Sequence, residues 1–149
     1  MLFRSNIVHI YFTGFIQNME NWQNKLHDAI LSHWDINRIK NLIVKEHCNP
    51  NEFSNAFFTL GPNISCLILA CTYSNVDVVH LLISYGANVN MSNEFEETPL
   101  LHAVWNGKSD IVKILIKNNA NVNQSDVFGR SPIYFACQKG NTELVKFLI

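Results

Sequence analysis

The sequence predicts an all-α protein: a solenoid of stacked helix–turn–helix units with short hairpin-like fingers between them. Two observations carry this. Ala70, Ala103 and Ala136 stand 33 residues apart, and Val79, Val112 and Val145, then Leu82, Leu115 and Leu148, then Ile83, Ile116 and Ile149, recur in step. A fixed period of this kind marks a chain in which each unit stacks only on its neighbours. Within a unit the apolar residues keep helical spacing, as Leu100, Ala103 and Val104 do, and turn-forming residues separate the runs.

The chain opens with an N-terminal extension, residues 1–18. Ile7 to Ile16 is apolar except for His9 and Thr13 and is too short to span a bilayer. Arg4 ahead of it gives a faint likeness to a secretory signal, but no small-x-small cleavage site follows. The other reading starts the protein at Met19-Glu20, and both stay open at this end. Residues 19–51 form a divergent N-terminal capping repeat. Residues 22–32, with Leu26, Ala29, Ile30 and Leu31, supply its first helix; Ile39, Leu42, Ile43 and Val44 mark the second. A longer connecting loop follows at 52–62, with Phe53, Phe57, Phe58 and Leu60 expected to fold back on the cap.

Three repeats come next, at 63–95, 96–128 and 129–149, the last cut short. Thr98 offers an oxygen to cap a helix, and Pro99 takes the first helical position, where a missing N–H is harmless. Ser131-Pro132 repeats the device, and Ser65-Cys66 keeps the cap without the proline. The small alanine slot lets paired helices approach closely. Gly107 and Gly140 allow the left-handed backbone of the turn between helices, with Ser74 in that place one unit earlier. Ile111, Val112, Leu115 and Ile116 turn the second helix inward, and Asp77, Asp110 and Glu143 place a negative charge in its first turn. Gly86 and Asn119, the residue types most tolerant of a left-handed terminus, end the helices. The last helix stops at Ile149 with Leu144, Val145 and Leu148 awaiting a partner surface, so the chain is expected to be a fragment of a longer array.

The period, together with Thr98-Pro99-Leu100 and Gly86-Ala87-Asn88-Val89-Asn90 and its echo Asn121-Val122-Asn123, resembles the ankyrin-repeat family. The likeness covers residues 60–149 and, more faintly, 22–51. Asp126-Val127-Phe128-Gly129-Arg130-Ser131-Pro132 is similar to the family's finger; one unit earlier Asn93 and Glu96 replace the Asp and the Gly. Glu96 has no ease at positive φ, so a distorted finger is expected there. The family also favours His two residues after the Pro, where this chain has Ile68, Leu101 and Tyr134. Its usual His hydrogen bonds between units should then be missing.

Bulk properties narrow the function. A net charge of −1, with 11 basic residues scattered among 12 acidic ones, argues against nucleic acid as the main partner. The 4 cysteines show no disulfide framework: Cys66 and Cys71 lie on one short helix, and Cys71 and Cys137 fill equivalent slots two repeats apart. Reduced, mostly buried thiols fit a cytoplasmic or nuclear setting. Cys137 falls at the small-residue core position, where packing outweighs reactivity. No metal-ligand spacing, phosphate loop or nucleophile motif is present, so no catalytic residue, cofactor or metal is assigned. His80 is expected to face solvent.

The resemblance implies a mode of action, the binding of another protein, without naming it. Family partners generally meet the finger tips and the inner side of the first helices. Carried onto this chain, those positions are Tyr73, Glu94, Phe95, Glu97, Trp105, Asn106, Phe128, Arg130, Gln138 and Lys139. Exposed aromatics with Arg are typical interface anchors; the competing reading packs the rings on neighbouring fingers. The leading expectation is a non-catalytic protein–protein interaction scaffold. The alternative is the N-terminal targeting module of a larger enzyme, ubiquitin-ligase adaptor or membrane protein. No direct membrane insertion is expected from the repeats.

Overall fold

The computed structural model describes residues 25–54, 63–73 and 76–149. Among them the helices run α1 Lys25–Leu31, α2 Ile36–Lys45, α3 Cys66–Tyr73, α4 Val76–Ser84, α5 Pro99–Trp105, α6 Ser109–Lys117, α7 Pro132–Gln138 and α8 Thr142–Leu148. Odd-numbered helices stack on one another in an inner row, even-numbered helices in an outer row, and each pair packs within its own unit. The N-terminal extension 1–18, Ser74, and the loop residues Phe57, Phe58 and Leu60 lie outside the described residues.

The stack follows from the alanine slot. Ala70, Ala103 and Ala136 are each 0% exposed, so inner helices meet where a side chain is a single methyl. Val79, Val112, Leu82 and Leu115 close the core from the outer row. Leu144 and Leu148 are also buried, whereas Ile149 is 92% exposed. The open surface of the last unit therefore belongs to other side chains than the expected Leu144 and Leu148: Ile133, Tyr134, Cys137 and Phe147 carry it. Cys137 is exposed, against the expectation of a core thiol, because in this chain no later helix pair lies over α7 as α7 lies over α5. Cys66 and Cys71 are buried, and desolvation pushes both thiols far up from their ordinary pKa.

Helix starts are capped unevenly. Asp35 accepts from the N–H groups of Asn37 and Arg38, Ser65 from Ile68, Thr98 from Leu101, and Asn141 from Leu144. Ser131 has the extended backbone of a cap, but its side chain makes no capping bond, so that device is only half repeated. Gly86, Gly107, Gly129 and Gly140 all sit at positive φ, as does Asn119.

The fingers are built by side chains standing in for a ladder. Asp126 Oδ1 accepts from the N–H of Phe128 and of Arg130, and Gly129 N–H closes the turn on the Asp126 carbonyl. The expected distortion one unit earlier does not occur. Asn93 Oδ1 accepts from Phe95 and Glu97, and Glu96, at φ 59°, donates to the Asn93 carbonyl just as Gly129 does to Asp126. The geometry of the finger wins over the preference of the glutamate. Val127 N–H then bonds Phe95 carbonyl, joining the two fingers at their tips.

Asparagines carry a second set of links. Asn51 gives Nδ2 to the Gly86 carbonyl and takes the N–H of Asn88 on Oδ1. Asn90 does the same to Asn119 carbonyl and Asn121 N–H. Each carboxamide thus satisfies a helix-end carbonyl and a loop N–H of the next unit, groups that would otherwise be left to water. A short antiparallel ladder, β1 Phe53–Ser54 with β2 Ile64–Ser65, was not legible in the sequence; it pairs Phe53 with Ser65 and Ser54 with Ile64 across the connecting loop. Phe53 is exposed on it rather than folded on the cap.

Candidate functional site

The inner row and the fingers converge on one cluster. Trp105 closes α5, and Phe128 and Arg130 flank the turn at Gly129. Phe135 rises from the middle of α7. The Trp105 and Phe135 ring centroids are 4.9 Å apart and tilted by 34°. The Arg130 guanidinium lies over three rings, 4.7 Å from Phe128, 5.2 Å from Phe135 and 5.8 Å from Trp105. Cations over ring faces are held electrostatically. Arg130 is also pinned from behind: its Nε and Nη2 both reach Asp126 Oδ2, at 2.7 and 2.6 Å. Burial alone would raise the Asp126 carboxyl, but the bonds from the Arg130 side chain and from backbone N–H groups outweigh it, and its pKa is lowered.

The sequence-predicted surface is therefore partly gathered and partly dispersed. Trp105, Phe128 and Arg130 form the knot, with Phe128 72% and Trp105 44% exposed. Phe95 and Glu94 are exposed on the neighbouring finger, where Glu94 accepts from Asn63. Asn106 is exposed at the end of α5, with Nδ2 donating to the His102 carbonyl. Tyr73 is exposed at the end of α3, and Gln138 and Lys139 at the end of α7. Glu97 is the exception. It is only partly exposed and is engaged inward, accepting from Asn93 Nδ2 at 2.8 Å and lying 3.3 Å from His102 Nε2.

His102 and Phe135 are the residues that sequence reasoning missed. His102 is buried in α5, and its Nδ1 is 3.2 Å from Thr72 Oγ1 on α3. A histidine thus does bond across neighbouring units, one position later than the family's usual place. Leu101 and the shift of register hid it. His27 makes a comparable link earlier, with Nε2 2.9 Å from the Ile64 carbonyl and Nδ1 3.5 Å from Cys66 Sγ. Glu97, Leu101, His102, Trp105 and Phe135 together line a small pocket. His102 lowers the Glu97 carboxyl from its ordinary range against the effect of burial, and Asn93 adds to the lowering. Among the described residues no three His, Cys, Asp or Glu side chains gather to hold a metal ion.

Paired helices stacked in two rows and joined by side-chain-bonded fingers define an α-helical repeat solenoid, a scaffold whose inner surface is continuous from unit to unit. A family model described as ankyrin repeats in three copies matches residues 26–126, and one described as ankyrin repeats in many copies matches 108–149. The chain belongs to the ankyrin-repeat family. A search of curated proteins returned no match. Ankyrin repeats are generally protein–protein interaction modules and typically non-catalytic. No helix among the described residues is long and apolar enough to cross a membrane.

Proposed function

We propose that this chain is a non-catalytic scaffold that docks another protein across its finger tips and inner helices, centred on Trp105, Phe128 and Arg130. One observation carries the reading. Phe128 is held 72% exposed at a finger tip by an arginine whose own charge is already matched by a buried aspartate. Nothing in the packing of the stack requires a ring there, and a rigid exposed aromatic loses little freedom on binding. Rings and Arg in such an arrangement are the usual anchors of an interface. Glu94, Phe95 and Asn106 surround the anchor with further exposed side chains.

The test is paired. Trp105→Ala and Phe128→Ala are compared with the wild type as baits, and a protein captured by the wild type is then titrated against all three. Truncating an interface anchor costs ~2 kcal/mol or more, roughly thirtyfold in affinity. The expectation is that loss in both variants with the melting temperature of Phe128→Ala unchanged. Equal affinity per folded molecule would make the rings structural and the docking face wrong.

A further inference from the structure

Asparagine is followed directly by glycine at one place in the sequence, Asn106-Gly107, and that pair opens the turn between α5 and α6. Asparagine is among the thermally labile residues, and a glycine after it gives the lability a route. The Gly107 backbone nitrogen, having lost its proton to base, attacks the Asn106 side-chain carbon Cγ and forms a five-membered succinimide. The Cγ–Nδ2 bond breaks, and the proton, returned through solvent, leaves with the ammonia. Water then opens the ring at one carbonyl or the other, to aspartate or to isoaspartate. The balance is one water consumed and one ammonia released. Glycine favours the attack because no Cβ crowds the nitrogen or restricts its backbone.

The folded turn opposes this reaction at three points. Asn106 has φ −84° and ψ 0°. At ψ 0° the Gly107 nitrogen eclipses the Asn106 nitrogen and is turned away from Cβ, which carries the carboxamide. The Gly107 N–H is given to the Val104 carbonyl at 2.9 Å, and a bonded amide parts less readily with its proton. The carboxamide is drawn back along the helix, with Nδ2 donating to the His102 carbonyl at 2.7 Å. Yet Asn106 and Gly107 are both exposed, so base and water reach them once the turn opens. Exposed turns are among the segments that open at low free energy.

The product cannot close the turn in the same way. An aspartate at 106 has no N–H for the His102 carbonyl and sets a charged acceptor against it. It also adds negative charge at the C-terminal end of α5, where the helix dipole is already negative. An isoaspartate lengthens the main chain by a methylene as well.

We propose that Asn106 is a site of spontaneous deamidation, gated by opening of the α5–α6 turn and unlatching that turn once it has reacted. Trp105 is the adjoining residue, so the change falls on the proposed docking face, while the site itself needs no docked protein.

The full chain is aged folded in warm, mildly alkaline buffer and, as the reference, unfolded in urea; products are mapped by peptide mass spectrometry. Asn106 should be the first asparagine to react in urea. In the folded chain it should still react, roughly tenfold or more slowly. That slowing should equal or exceed the protection of the Gly107 amide against hydrogen exchange, because ring closure needs this N–H freed and the side chain released too. Asn106→Gln, which would have to close a six-membered ring, should remove the product from this turn. Asn106→Asp should melt below wild type and exchange its Gly107 and Lys108 amides faster, with α3 still protected. No reaction at Asn106 in the folded chain, or another asparagine leading in urea, would overturn the site. Equal rates folded and in urea, or a slowing smaller than the Gly107 protection, would overturn the gate, since the reaction would then run from the closed turn. An Asn106→Asp protein with wild-type melting and exchange would overturn the unlatching.

Discussion

A single residue shows how strongly the finger imposes its shape. Glu96 stands where the next finger has Gly129, and both adopt positive φ. For a residue with a Cβ that conformation costs about 1–2 kcal/mol. The turn holds because Asn93 Oδ1 takes two N–H groups at once and its Nδ2 locks Glu97, matching the Asp126–Arg130 arrangement with the side-chain donor and acceptor exchanged between the two positions. Replacing Glu96 with glycine should therefore stabilise the protein by about 1 kcal/mol, the relief of strain being reduced by the extra freedom of the unfolded chain. Urea denaturation with an unchanged slope checks it; a loss of stability would mean the glutamate side chain makes a contact worth more than the strain. The exchange also explains what the sequence hid. Asn93 and Glu96 read as two separate departures from the finger pattern, whereas the compensating partner, Glu97, is visible only once side chains are in place. Trp105, Phe128 and Arg130 were legible as surface positions from the repeat register. Their joint contact with Phe135 was not, because it depends on how far a guanidinium reaches across two units.

At the scale of the element, helix pairs at 66–84 and 99–117 were legible because period, caps and apolar faces agree there. The ladder β1–β2 was not, since two residues per strand leave no alternation to see. The interface of α1 with α3 offers a test in pH, with two neighbours of opposite sign. His27 is buried, and desolvation lowers its pKa from 6.5 despite the bond to the Ile64 carbonyl. A folded pKa below the unfolded one means stability that is present above about pH 6.5 and lost as pH falls through that range. Asp28 runs the other way: desolvation raises its pKa from 3.8 to about 6. The charged form is disfavoured in the fold, so this residue takes stability away above about pH 6 and returns it as pH falls toward 4. The two slopes partly cancel in the wild type, so variants are needed to see either. Asp28→Asn should be more stable than wild type at pH 7.5 by about 1 kcal/mol, a value kept small because the carboxyl is half exposed and screened. The advantage should shrink steadily as pH falls from 6 to 4.5, on its way to closing below pH 4, and alongside it the variant should show a steeper acid loss from His27. Thermal melts across pH 4.5–8 measure both; parallel curves for the two proteins would show that Asp28 ionises freely in the fold.

For the whole molecule, the repeat arrangement makes stability a chain of neighbour interfaces rather than one property of a single core. The units that are covered on both sides hold the longest unbroken runs of buried side chains, from Cys66 to Cys71 on α3 and from Pro99 to Val104 on α5. The last unit is packed on one side only. Its Leu144 is buried, yet Ile133, Tyr134 and Phe147 remain open, and Lys113 lying 4.7 Å from the centre of the Phe147 ring shields part of that ring. Local opening follows the number of buried contacts, so amide exchange should be slowest in α3 and α5 and fastest in α7 and α8. Adding one consensus ankyrin unit after Ile149 covers the Tyr134 and Phe147 surface and supplies a partner for it. A gain of a few kcal/mol moves the melting temperature of a domain this size by several degrees, and the protection of α7 and α8 should rise toward that of α5. The location of the gain matters more than its size. Protection that rises only within the added unit, with α7 and α8 exchanging as before, would show that the exposed surface of the last repeat is not a stacking face.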